Sequence, residues 1–148
     1  MKKTFFVNSC LLAGVMVFIV MLTGADVSLY VDIPSIVILI VPAFLVLSSS
    51  FSIAEIGRAF AAPFDMNPAV TDLKKSEEFF KAFRRTLWVM GLVAFIMGNI
   101  AMFKVMAEDQ YFQGFSVAIL AILYALMADI ILINPYLLGI RKRLAEQE

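Results

Sequence analysis

The chain has 148 residues, is 62% hydrophobic and has a mean hydropathy of +0.93. It carries 12 basic and 12 acidic residues and no histidine. A soluble domain averages about 45–50% apolar and about 25% charged residues, so a soluble enzyme, a disordered tail and a nucleic-acid binder are excluded as first descriptions. One cysteine, Cys10, cannot form an internal disulfide or a cysteine metal cluster. Without histidine there is no Ser–His or Cys–His pair, and the usual zinc and haem ligand sets are missing. The expectation is therefore a protein that is not an enzyme, with no metal and no cofactor. Cys10 lies in an apolar run and reads as a small buried or lipid-facing residue.

Four apolar stretches are long enough to cross a bilayer, which takes about 20 helical residues. They run over about 5–23, 33–53, 86–103 and 115–139. The runs are continuous rather than alternating, which favours helices over strands. The expected fold is an all-α integral membrane protein, a single four-span membrane domain over 1–148. The first span also has the outline of a signal peptide, with Lys2 and Lys3 before it and Thr23-Gly24-Ala25 after it. Its run of about 19 residues is longer than an h-region of about 7–15, which favours a retained helix.

Basic residues set the expected orientation. Lys2 and Lys3, the six of the segment 54–85, and Arg141, Lys142 and Arg143 fall on one side, which makes 11 of the 12. Only Lys104 falls on the other, beside Asp26, Asp32, Glu108 and Asp109. Both termini and the segment 54–85 are thus expected in the cytoplasm. In that segment, residues 61–68 read as a turn, and Asn67-Pro68 as a helix start. Spans two and three are expected to extend into it as helices. An unbroken helix from Pro68 to Phe103 would be about 54 Å long. Phe79, Phe80 and Phe83 share one face of it. That face either packs against the extension of span two or lies in the headgroup layer.

Gly91, Ala94, Gly98 and Ala101 form one stripe of span three, and Ala118, Ala121, Ala125 and Ala128 one stripe of span four. Small residues let helices approach closely in lipid, so the stripes predict tight packing, against each other or against a further helix. Asp129 falls within about 20–40° of Ala118 and Ala125 on a regular helix. A carboxyl group in a span usually faces protein or water. It reads either as an ion, proton or partner site, or as a hydrogen-bonded structural carboxyl. Asn99 reads as an interhelix hydrogen bond. Pro42 and Pro135 are expected to kink spans two and four.

Three pieces of sequence in this order resemble the MotA/TolQ/ExbB family of ion-driven motor subunits. Tyr30-Val31-Asp32-Ile33-Pro34-Ser35 is similar to the D-x-P-S start of span two in MotA-type subunits. Residues 91–98, from Gly91 to Gly98, are similar to G-x-x-G-T-x-x-G of span three. Leu123-Tyr124-Ala125, with Pro135 eleven residues after Tyr124, is similar to L-Y-G…P of span four. The chain departs from the pattern at Phe95 and Ile122, which stand where the family has threonines, and at alanines 94 and 125. Its cytoplasmic segment is much shorter than that of a flagellar MotA.

The resemblance implies a subunit of an ion-motive-force-driven complex in the bacterial inner membrane. It implies a homo-oligomer, a pentamer, around single-span partners of the MotB/TolR/ExbD kind, in contact with lipid and with no nucleic acid. Gly91, Ala94, Gly98, Ala118, Ala121, Ala125 and Asp129 would face the pore or partner, with Phe95 and Ile122 at the hydroxyl positions. The alternative is a non-conducting structural or regulatory scaffold that keeps the ring. An unrelated small four-helix membrane protein is a third reading.

Overall fold

The computed structural model describes residues 4–24, 26–65 and 67–147, with side chains from Val7 onward. Lys2, Lys3, Ala25 and Met66, which carried parts of the orientation, cleavage and turn readings, lie outside the described residues. Every element is helical, and there is no strand among the described residues. The order is α1 (Thr4–Leu22), α2 (Ile33–Ser48), α3 (Ile53–Ala61), α4 (Val70–Val105), α5 (Tyr111–Ala128) and α6 (Asn134–Ala145). A π-helical segment, Asp129–Ile133, joins α5 to α6 without a break.

Three helical stretches are long and apolar enough to cross a membrane: Val27–Ser48, Val70–Val105 and Glu108–Ala145. The described apolar run of α1, Val7–Leu22, is shorter. Of the four expected spans, three therefore stand on length and composition. The apolar helices suggest a membrane location. Gly24 adopts φ +71 just past α1, the left-handed conformation that ends helices.

Span two ends earlier than expected. Asp32 caps α2, its carboxylate accepting from the Ser35 backbone N–H at 2.9 Å, and Pro34 fits the first turn. The helix passes Pro42 and stops at Ser48. The Ser48 and Ser49 hydroxyls donate to the carbonyls of Leu45 and Val46 at 2.9 and 2.7 Å. Such local bonds compete with the helix ladder. A new helix then starts at Ser52, which shares a capping box with Glu55. The expected extension of span two is thus a separate helix after a serine-rich break.

The extension of span three is continuous. α4 has 36 residues, about 54 Å. It starts at Val70, past the expected Asn67-Pro68 start, with Asp72 in its first turn beside the positive end of the dipole. Its lower half carries most of the core. Phe79 and Phe80 are buried, and Phe83 is half-buried. Phe79 meets Phe51 edge-on at 5.4 Å, Phe80 meets Phe60 at 5.1 Å, and Phe80 stacks on Tyr136 at 4.6 Å. Of the two readings of the Phe face, packing is the one seen: its partner is α3, the separate helix that follows span two, with α6 as an additional one. The buried Ser76 hydroxyl donates to the Ala59 carbonyl at 2.6 Å and fixes α3 to α4.

The upper half is a hairpin of α4 and α5 closed by small residues. A Cβ added to Gly91 would lie 3.1 Å from the Ala125 Cβ, and one on Gly98 would lie 3.0 Å from the Ala118 Cβ. The two stripes meet each other. Ala101 departs from its stripe and is exposed, while Met102 is buried in its place, against Gly114.

Candidate polar site in the helix pair

Asp129 opens the π segment, and that segment decides which way α6 faces. On a regular α-helix Ile133 would lie about 80° from Ala125. The wider π turn accommodates one extra residue. It brings Ile133, Leu137 and Ile140, all 2% exposed or less, onto the side already occupied by Ala118, Ala121 and Ala125. Pro135 follows directly, where its missing N–H and its ring disfavour a regular ladder. The irregularity expected at Pro135 is thus a π turn on its amino-terminal side.

The carboxylate of Asp129 is engaged at both oxygens. Arg84 Nε donates to Oδ1 at 2.7 Å, and Trp88 Nε1 donates to Oδ2 at 3.1 Å. Arg84 Nη2 also donates to Asn134 Oδ1 at 3.1 Å. Arg84 and Trp88 are four residues apart on α4, so they lie on neighbouring turns of one flank. The side chains of Arg84 and Asp129 are 35% and 16% exposed. The ion pair is therefore partly screened, and it also carries three hydrogen bonds. Asp129 is held in a hydrogen-bonded network; its partner Arg84 is the residue that sequence reasoning missed. The facing stripes alone do not point to it: on antiparallel helices, two turns before Gly91 lies level with two turns after Ala125, one turn past Asp129.

A second polar link lies one turn above. Tyr124 Oη accepts from the Asp32 backbone N–H at 2.7 Å and donates to the Tyr30 carbonyl at 2.8 Å. The start of α2 is thereby tied to the last turns of α5. This bond joins two of the segments that carried the resemblance, and the third, through Gly91, packs on Ala125 and Ala121.

The other expected site residues are placed as follows. Gly91, Ala94, Ala118, Ala121 and Ala125 are buried, Gly98 half-buried. Within this chain they form the α4–α5 contact. Phe95 and Ile122 are half-buried, and the Phe95 ring meets Phe115 edge-on at 5.9 Å. Asn99 does not bridge helices: its amide donates to the Phe95 carbonyl one turn back at 2.7 Å. Cys10 is exposed on α1. No group of three His, Cys, Asp or Glu side chains that could hold a metal occurs among the described residues.

Below the apolar half, Glu77 accepts from Lys81 at 2.9 Å and from Arg141 at 3.1 Å. The hydrogen bond from Lys81, then that from Arg141, lower its pKa against the opposing effect of burial. The Ser52 cap lowers that of Glu55 in the same way. No family model matches the chain, and no curated protein matches it.

Proposed function

We propose that the chain is a MotA/ExbB-like subunit of an ion-motive-force-driven complex in the bacterial inner membrane. In this reading it has four spans, with α1 as the first, and both termini are cytoplasmic. Five copies surround single-span partner helices. The observation that carries the reading is the convergence at Tyr124. Segments that resemble the family in three separate parts of the chain come together at one level of the bundle. A chance set of apolar motifs has no reason to do so. The long α4, projecting below its own apolar stretch, adds support.

Electron microscopy of the detergent-purified protein tests this reading. Five-fold symmetry is the expected result; a monomer or dimer would overturn it.

A second reading, a non-conducting scaffold with the same ring, is favoured by two observations. Phe95 and Ile122 put apolar side chains where the family has hydroxyls. The Asp129 carboxylate is engaged at both oxygens, so its own bonds must break before it can relay a proton. Ion flux into liposomes, measured with the partner present, separates the two. Protonophore-sensitive flux removes the scaffold.

A further inference from the structure

The network around Asp129 leaves positive charge unused on its outer flank. Arg84 engages Nε and Nη2, while Nη1 makes no hydrogen bond with another described residue. Arg85 is exposed and has neither hydrogen bond nor ion pair among the described residues. Asn134 turns its oxygen toward Arg84, which leaves its amide NH2 as a donor. Two guanidinium groups against one carboxylate leave a net charge of about +1.

The position of this charge indicates what it binds. Within one turn of Arg85 the exposed face of α4 becomes apolar, beginning with Val89 and Leu92. Ile130 is exposed one turn above Asn134 on the opposite helix. Trp88, an amphipathic ring of the kind enriched at the membrane–water boundary, sits at the same level. A cationic spot at the foot of exposed apolar side chains has the charge and layout to match a phospholipid with one net negative charge.

We propose that Arg84, Arg85 and Asn134 form a docking site for the phosphate of an anionic phospholipid, whose acyl chains lie along Leu92 and Ile130. Arg84 contributes its spare Nη1, Arg85 its whole guanidinium and Asn134 its amide. The lipid neutralises the residual charge and closes the open side of the Asp129 network. The site depends on the membrane location but not on the ring, so a failed ring assignment leaves it standing.

The test uses the full chain in neutral detergent. Its Tm is measured with added phosphatidylglycerol, phosphatidylcholine or inorganic phosphate. Phosphatidylglycerol should raise Tm by about 3 °C or more, and the other two should not. Arg85→Gln, at an exposed position, should keep the lipid-free Tm and lose at least half of the shift; Asn134→Ala, which also removes the bond to Arg84 Nη2, should lose as much of the shift from a lower lipid-free Tm. Lys74→Gln, at an exposed cation further down α4, should keep the shift. The proposal is overturned if phosphatidylcholine gives an equal shift, if inorganic phosphate alone reproduces it, or if Arg85→Gln retains it in full. It is equally overturned if Lys74→Gln loses as much as Arg85→Gln, which would mean a diffuse basic surface.

Discussion

The two halves of the α4–α5–α6 pair are held by different physics. The upper half is a seam of glycine and alanine, in which backbones approach until a single added methyl would be crowded. The lower half is a cluster of Phe and Tyr rings, packed mostly edge-to-face around the stacked Phe80–Tyr136 pair. In lipid, burying a large apolar side chain gains little, because the tails outside are as apolar as the core. Close approach and dispersion are what remain. In the proposed placement water is the alternative below the apolar stretch, and large rings there gain the transfer energy. The chain changes from one solution to the other at the Arg84–Asp129 network.

That contrast can be broken from either end. Phe80→Ala should have the largest effect, a loss of about 3–5 kcal/mol, since Phe80 is fully buried against Phe60 and Tyr136. Hydrogen exchange should show the loss in α3, α6 and lower α4, with the Gly91–Gly98 seam still protected. Equal loss in both halves would mean that they are one cooperative unit.

Asp129→Ala comes next, at the junction. It strands a partly buried guanidinium and should cost about 2 kcal/mol, less than the 3–5 of a fully buried pair because Arg84 is one-third exposed. Asp129→Asn keeps an acceptor and should cost less. Thermal unfolding in detergent reads both; equal costs would mean that the lost charge alone sets the effect and that the retained acceptor contributes nothing.

Gly91→Val should cost about 1–3 kcal/mol by overpacking against Ala125 and Ala121. Its effect should be confined to the seam, leaving the aromatic cluster protected from exchange. Gly91→Ala should be much milder.

The smallest effect is that of pH. The folded-state pKa of Glu77 is depressed by Lys81 and Arg141. Its contribution is therefore full above the unfolded pKa and is lost as pH falls through the lower folded value. Between about pH 7 and pH 5 the stability from this group should be flat, then decline below about pH 4. The loss should stay under about 1 kcal/mol, because Lys81 and Arg141 are each more than half exposed. Glu77→Gln should flatten the decline.

What could be read from the residues was whatever depends on local pattern. The helix through Phe79 to Phe103, the stripes of spans three and four and the three long apolar helices follow from spacing and composition alone. The end of α2 was harder, because apolar content persists to Ile53 while two serine hydroxyls and a capping box set the break. Asn99 was assigned to a neighbouring helix because a polar group in lipid needs a partner; its own backbone supplied one. The Arg84–Asp129 bond was not legible for a geometric reason. Projecting the chain at 100° per residue places Asp129 on the stripe, but it says nothing of a residue 45 positions away or of a turn with a different pitch.

The π segment makes this part of the chain sensitive to length rather than to chemistry. Removing one of residues 130–132 would leave a regular helix, and seven residues of it turn through about 700°, which keeps the later residues on the Ala125 face. Adding one residue would instead turn everything after it by about 100°. Leu137 and Ile140 would leave the interior, and the Phe80 ring would lose the Tyr136 face it stacks on. Substitutions here alter one contact at a time, whereas a single-residue insertion would undo the whole lower half.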